Sequence, residues 1–409
     1  MDITHSIIET QSWNPKDIDQ FFHLCSFLKD NPRIYEQDLK GRILINAFFE
    51  PSTRTSLSFE SAMKKLGGEV ITFHGTSSSL QKGESNMDTM KCLSQYGDAI
   101  VLRHSSADFI YEVDREPHMI PLLNAGNGDK EHPSQALLDL YTLYKTFGRE
   151  YKSKPLHILF IGDIKHSRTI HSFLKLLHLY PQMKIYFLPY SGCEPEPSFV
   201  QKIASIHNQV EDEMVLEYYN DETSSYIETH PFDVVYLTRL QKERHDTKEE
   251  EIPEPSLDIS MDTTSDTTSD TTSDTTSEND SNHEEPYHFT NEDANKLHQG
   301  AIIMHPLPRN KELDVSVDTN PRARYYQQME YGVEVRMGLL IQILIPKSKR
   351  ALRIEKYTKI KDTLDKIMIP SLEKDTHNHV VILFLVSTIT LFSYVIYKDY
   401  CNYLSSLHI

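Results

Sequence analysis

Short apolar runs alternate with amphipathic stretches along most of the chain. Runs at Arg42–Phe49, Glu69–Phe73, Ala99–Arg103, His157–Ile161, Lys184–Leu188, Val234–Leu237 and Ala301–Met304 have strand length and predict strands. Apolar residues spaced three and four apart predict helices around Ser56–Leu66, Met87–Gln95, Ser134–Phe147, Arg168–Leu179 and Tyr331–Leu344. Strands that alternate with helices argue for an α/β chain with parallel sheets covered by helices. A break in composition near Gly148–Pro155 divides this pattern. The expectation is two similar-sized domains, each a mainly parallel sheet flanked by helices: residues 1–148, completed by a C-terminal helix at 331–345, and residues 149–330.

Two stretches leave the pattern. Residues 249–285 hold thirteen Asp or Glu and no Lys or Arg, and Asp-Thr-Thr-Ser repeats four times from Asp262 to Ser277. A polar four-residue repeat buries too little apolar area to offset its ordering entropy, so about 246–286 reads as a disordered insertion. It is either an expanded loop without function or a Ser/Thr-rich phosphorylation target. The second stretch, 380–397, has no charge over 18 residues, the lower limit for spanning a bilayer. A basic linker, 346–379, precedes it, and Lys398 alone follows closely. The positive-inside rule then places the upstream body in the cytosol and makes 380–397 a transmembrane anchor. A buried core helix or strand pair is the other reading.

Net charge is −18, and the insertion supplies −13 of it, leaving −5 for the rest of the 409 residues. That balance argues against a nucleic-acid binder, which needs a basic face. The cysteines Cys25, Cys92, Cys193 and Cys401 lie far apart without CxxC spacing. Neither a disulfide framework nor a zinc site is expected from them, and a reducing compartment fits. The acidic, polar N-terminus lacks the order of a signal or transit peptide.

The candidate chemistry sits at strand ends. Phe49-Glu50-Pro51-Ser52-Thr53-Arg54-Thr55-Ser56 follows a strand and opens a helix. Hydroxyls, backbone N–H groups at a helix start and a guanidinium together suit a phosphate, whereas Ser or Thr alone there is ordinary capping. Ser77–Glu84 by itself reads as a flexible loop with one lysine. Arg103 ends an apolar strand, where open α/β sheets bind ligands; a solvated Arg is the alternative. His132, followed by Pro133 at the first helical position and by Gln135, sits at a helix start that disfavours imidazolium. A neutral His132 would donate to a carbonyl oxygen; a structural role is the plainer reading. Gly162–Thr169 is a further strand–turn–helix, without GxGxxG, in which Arg168 is placed to meet a carboxylate or solvent. Arg239 and Gln241 alternate on one face of an extended segment and suit a carboxylate, or form a charged loop. His305-Pro306-Leu307-Pro308 reads as a rigid turn.

Taken in order, FFEPSTRTSLSFE, SSLQKGES, LNAGNGDKEHPSQALLDLYT, IGDIKHSRTIHS, YLTRLQKER and MHPLPRNKELDVSVDTNPRARYYQQ make the chain resemble the aspartate carbamoyltransferases from about Phe21 to Leu344, apart from the insertion. The ornithine-specific sister enzymes carry a Cys where Pro306 stands and an SMG-type loop, and neither occurs here. The resemblance implies transfer of the carbamoyl group of carbamoyl phosphate to L-aspartate, in pyrimidine biosynthesis, without metal or other cofactor. It implies that Ser52, Thr53, Arg54 and Thr55 hold the phosphate, and that Thr55, Arg103 and His132 bond the carbonyl oxygen. Gln135 and the Leu307 and Pro308 carbonyls would hold the amide nitrogen, Arg168 the aspartate α-carboxylate, and Arg239 and Gln241 its side-chain carboxylate. Arg54, Thr55, Arg103 and His132 are thus the candidate catalytic residues. Ser79 and Lys82 resemble a loop donated by a neighbouring subunit, which implies a homotrimer with shared active sites. A transferase for another amine such as ornithine, or a silent membrane-tethered homologue, are the alternatives.

Overall fold

The computed structural model describes residues 6–31, 35–75, 83–215, 223–241 and 287–350. In chain order the helices are α1 (Pro15–Asp30), α2 (Thr53–Lys65), α3 (Asn86–Leu93), α4 (Phe109–Arg115), α5 (Pro133–Phe147), α6 (Arg168–Leu177), α7 (Pro197–His207), α8 (Glu211–Met214), α9 (Thr223–Thr229), α10 (Asn291–Lys296) and α11 (Tyr325–Leu344). The strands are β1 (Ile43–Phe48), β2 (Glu69–His74), β3 (Ala99–His104), β4 (Leu122–Asn127), β5 (His157–Gly162), β6 (Lys184–Pro189), β7 (Val234–Leu237) and β8 (Ile302–Met304). They form two four-stranded sheets, β2-β1-β3-β4 and β6-β5-β7-β8, in which every neighbouring pair is parallel.

Helices cover both faces of each sheet, so the central strands are apolar on both sides. In β5, Ile158 and Phe160 enter one core while Leu159 and Ile161 enter another, the period-two alternation of a strand. The first of these cores is shared. It joins Leu44, Phe48 and Val101 of the first sheet to Ile158, Phe160 and Val234 of the second through residues of α1, α5, α6 and α11. Phe160 packs against Phe173, Phe187 and Tyr236, and truncating it to Ala would cost about 3–5 kcal/mol. Helix α2 shows how the sequence sets such packing: Thr55, Phe59, Ala62 and Met63, spaced four, three and one apart, form its buried stripe.

Parallel strands joined by helices bring all strand C-termini to one edge, and ligands bind where the chain reverses direction across the sheet. Here those switch points lie between β1 and β3 and between β5 and β7. The first is marked by Phe48 in register with Arg103, the second by Ile161 in register with Leu237.

Several elements depart from the sequence expectation. The glycine-containing stretch Leu122–Asn127, absent from the expected strands, is the fully buried strand β4. Its register against β3 shifts between Leu102 and His104, and Gly126 there has φ +119°, a bulge that glycine permits. The C-terminal helix begins at Tyr325, six residues before Tyr331, because Tyr325 and Gln328 are buried against the second sheet's core and the first sheet's helices. Helix α2 starts at Thr53 rather than Ser56. Helix α1 was not anticipated, although Asn14 accepts a hydrogen bond from the Asp17 N–H and Pro15 opens the helix, both ordinary start signals. The insertion at 246–286 and the apolar run at 380–397 lie outside the described residues. Among the described residues, no helix is long and apolar enough to cross a membrane.

Candidate active site

Helix α2 starts directly at the end of β1, so its first N–H groups lie at the first switch point. Its N-cap, Ser52, makes no side-chain cap bond to the helix. The Ser52 hydroxyl instead accepts from Arg103 Nη1 at 3.0 Å. Thr53 and Arg54 are exposed, and Thr55 is buried. The first turn is thus a cluster of N–H groups and hydroxyls around one partly shielded arginine, a setting that attracts an anion.

Glu50, between β1 and α2, was assigned no role from the sequence, yet it organises the site. Its Oε1 accepts from Arg103 Nε at 2.6 Å and from Arg168 Nη2 at 3.3 Å. Arg103 belongs to the first sheet and Arg168 opens α6 after the second sheet's β5, so one carboxylate gathers guanidinium groups from both. Arg168 is also held through Nη1 to the Gly128 carbonyl at 2.7 Å. Gly126 lets this happen, because a Cβ there would stand 3.2 Å from the Arg168 guanidinium carbon. Arg239 follows β7, and its Nη1 donates to the Leu240 carbonyl at 3.0 Å. Arg54 is held below its ordinary value, first by desolvation and then by the positive charge of Arg239. An anion bound beside two guanidinium groups that repel each other relieves that repulsion.

The supporting shell is built from buried polar groups. His132 is the N-cap of α5, and its backbone N–H donates to Ser172 Oγ of α6 at 2.9 Å. Gln135 Nε2 donates to Asp139 Oδ1 at 3.0 Å. Asp139 also accepts from Tyr236 of β7 and Gln328 of α11, each at 2.9 Å. Burial raises the Asp139 carboxyl to about 7, against the lowering effect of its three hydrogen bonds. Asp163, just after β5, accepts from the His166 N–H at 3.0 Å and from the Gln241 N–H at 3.1 Å, which fixes the loop carrying Arg239 and Gln241. Gly162 has φ +120°, and a Cβ there would lie 2.1 Å from the Thr238 carbonyl oxygen, so β5 and β7 close together only over a glycine.

At the turn after β8, the Leu307–Pro308 bond is cis and Leu307 has φ +55°. His305 is fully buried; its Nδ1 accepts from the Leu307 N–H at 2.8 Å and its Nε2 pairs with Glu312 at 3.0 Å. Burial holds the His305 imidazole below its ordinary value. The structure thus gathers Ser52, Arg103 and Arg168 around Glu50, sets Arg54 near Arg239, and roots Gln135 and Gln241 on buried carboxylates. Ser79 and Lys82 lie outside the described residues. Sequence reasoning missed Glu50, Asp139, Asp163, His305, Glu312 and Gln328 as contributors. Only Glu50 and Asp163 carried a visible signal, as acids placed directly between a strand and a helix.

Known proteins share this fold. Residues 5–145 match the family pattern described as aspartate/ornithine carbamoyltransferase, carbamoyl-P binding domain, and residues 154–343 match its Asp/Orn binding domain. The chain belongs to the aspartate/ornithine carbamoyltransferase family. Among its relatives is the aspartate carbamoyltransferase catalytic subunit of Pyrobaculum islandicum, 34% identical over 83% of this chain and 98% of that protein. The protein of the same name from Methanocaldococcus jannaschii is 37% identical over 75% of this chain and 86% of its own length. The crystal structure of aspartate transcarbamoylase from Trypanosoma cruzi in complex with N-(phosphonacetyl)-L-aspartic acid superposes with a TM-score of 0.66 at 32% identity, covering 84% of this chain and 96% of that one.

Proposed function

We propose that this protein is an aspartate carbamoyltransferase, which moves the carbamoyl group of carbamoyl phosphate to the α-amine of L-aspartate and releases N-carbamoyl-L-aspartate and phosphate, a reaction of pyrimidine biosynthesis. The observation that carries this reading is the meeting of Arg103 and Arg168 from separate sheets on Glu50, with the Arg239 charge acting on Arg54 at the start of α2. Four guanidinium groups between two switch points suit two anionic substrates, one a phosphate and one a dicarboxylate. Ser52, Thr53, Arg54 and Thr55 at the start of α2 hold the phosphate. Arg103, His132 and Thr55 bond the carbonyl oxygen. Gln135 commits its amide N–H to Asp139, which turns Oε1 toward acceptance from the carbamoyl NH₂, alongside the Leu307 and Pro308 carbonyls. Arg168 takes the α-carboxylate, and Arg239 and Gln241 the side-chain carboxylate.

The neutral amine then attacks the carbonyl carbon. The N–C bond forms, the carbonyl oxygen gains charge beside Arg103 and His132, and the C–O bond to phosphate breaks. Orientation of two bound anions and stabilisation of the oxyanion supply the acceleration. Aspartate-dependent release of phosphate from carbamoyl phosphate, measured beside an ornithine control, tests the reading. Release with ornithine alone, or none at all, would overturn it.

Two finer features belong to the same proposal. The protein assembles as a homotrimer in which Ser79 and Lys82 reach a neighbour's site. The edge strand β2 supports this: it precedes them in the chain, and exposes Ile71 while α2 exposes Leu57. Sedimentation as a monomer at working concentration would refute it. The uncharged run 380–397 tethers the cytosolic body to a membrane; carbonate extraction of the full chain beside one stopped after Ile345 decides this, and equal solubility of both would exclude it.

A further inference from the structure

Asp163, His166 and Cys193 bring three metal-ligating atoms together where the loops after β5 and β6 meet, all within 4.8 Å of one another. Strands β5 and β6 are neighbours in the sheet, and the loops are tied by backbone bonds from Tyr190 N–H to the Gly162 carbonyl at 3.0 Å and from Lys165 N–H to the Cys193 carbonyl at 3.1 Å. Asp163 and Cys193 are fully buried, and His166 is partly exposed, which leaves an entry path. His166 Nδ1 stands 2.9 Å from Asp163 Oδ1. We propose that these three side chains form a binding site for a borderline-soft divalent cation of the zinc class.

The donor set is one thiolate, one imidazole and one carboxylate, the mixture such cations take in tetrahedral sites with a fourth position left for water. Ligand atoms around a tetrahedral zinc lie roughly 3.3–3.8 Å apart, so the three groups need move by only about 1 Å. The charges balance: Asp163 and the Cys193 thiolate carry two negative charges against the two of the cation. Lys165 also faces the thiol, but its ammonium is countered by Glu196 at 3.3 Å, and Glu194 adds negative charge. Burial, with Asp163 close by, pushes the Cys193 thiol up to about 12. A coordinating thiol is deprotonated on binding, so the cation displaces one proton from Cys193 into solvent. His166 coordinates through Nδ1 and keeps its proton on Nε2. No cysteine spacing signals this site, because its ligands come from two separate loops.

The site has a consequence that rests on the transferase reading above. Asp163 also holds the Gln241 N–H, at 3.1 Å. A cation that draws the carboxylate away frees the Arg239–Gln241 loop and weakens aspartate binding, while the carbamoyl phosphate site keeps its residues.

The full chain, stripped with a chelator, is titrated with cobalt(II) and with zinc(II). The expected result is a thiolate-to-cobalt charge-transfer band, abolished by zinc, with at least one proton released per metal at pH 7. Cys193→Ser is expected to lose the band and to weaken binding more than about 100-fold, with His166→Gln weaker than wild type as well. Cobalt bound without a thiolate band, or Cys193→Ser binding with unchanged stoichiometry and affinity, overturns the site; the wild-type spectrum decides even if a variant misfolds. In the metal-free protein, aspartate-dependent phosphate release reports the transferase reading independently. Zinc should then raise the aspartate KM several-fold in wild type and leave Cys193→Ser unaffected. Metal binding without a KM change upholds the site and overturns its coupling to aspartate.

Discussion

The two sheets share one strand order, and each starts a helix directly after its first strand, yet they treat the helix start oppositely. At the start of α2, Ser52 gives its hydroxyl to Arg103 and makes no cap bond to the helix. At the start of α6, Ser167 caps the Ile170 N–H, and Asp163 fills the turn with a carboxylate that binds the His166 and Gln241 N–H groups. The first helix start has no side-chain cap bond from its N-cap; the second has a serine cap and a carboxylate in its turn. An anion in the second crevice would therefore have to be met by side chains, the role proposed for Arg168 and Arg239. Equivalent topology positions two sites, and local capping decides what each can bind.

The widest test of this contrast is chemical. On the proposed roles, replacing Arg103 or His132 by Ala should lower turnover by about 10²–10³, the loss expected for one donor to a developing oxyanion. Steady-state kinetics would contradict the assignment if turnover stayed level. A step down in size, Arg168→Ala and Arg239→Ala each remove a charged partner worth about 1.5–3 kcal/mol. The kcat/KM for aspartate should fall by about 10–150-fold while the carbamoyl phosphate KM barely moves. Equal losses for both substrates would erase the division of labour between the crevices.

What joins the crevices titrates. Asp139 is raised in the folded protein to about 7, above its unfolded value of about 4, so the native state binds the extra proton between those limits. Its contribution to stability is complete below pH 4, falls as pH rises toward 7 by at most about 1.4 kcal/mol per unit, and is flat above. Thermal melts across that window should show the decline, and Asp139→Asn should flatten it; an identical slope in the variant would remove Asp139 as the cause. The smallest effect addresses the caps themselves. Ser167→Ala should destabilise by about 1 kcal/mol, whereas Ser52→Ala should leave denaturant midpoints almost unchanged. Matching losses would mean that both helix starts are capped alike.

Much of this was readable before the fold. Parallel strands buried on both faces appear as continuous apolar runs, and six of them stood out, together with the more exposed edge strand β2 and with Ser52–Thr55, Arg103, His132, Arg168, Arg239 and Gln241 near strand ends. Strand β4 did not, because Asn124, Gly126 and Asn127 have turn chemistry. They are used here for a bulge, with Asn124 bonded to the Ile8 carbonyl and to Asn127, both at 2.9 Å. Helix α11 starts earlier than expected because its first turn, Tyr325–Gln328, buries only Tyr325 and Gln328 and carries no aliphatic residue to set a helical period.

The amino-acid order by itself determined most of the segments that become strands and helices and which side chains stand at their ends, because period and local turn chemistry act over a few residues. The partners of those side chains were decided only by tertiary structure. Glu50 meets Arg168 across 118 positions, Asp139 meets Gln328 across 189, and Asp163 meets Gln241 across 78. A buried carboxylate takes whichever donors packing delivers, and packing is a property of the whole core rather than of any stretch of chain.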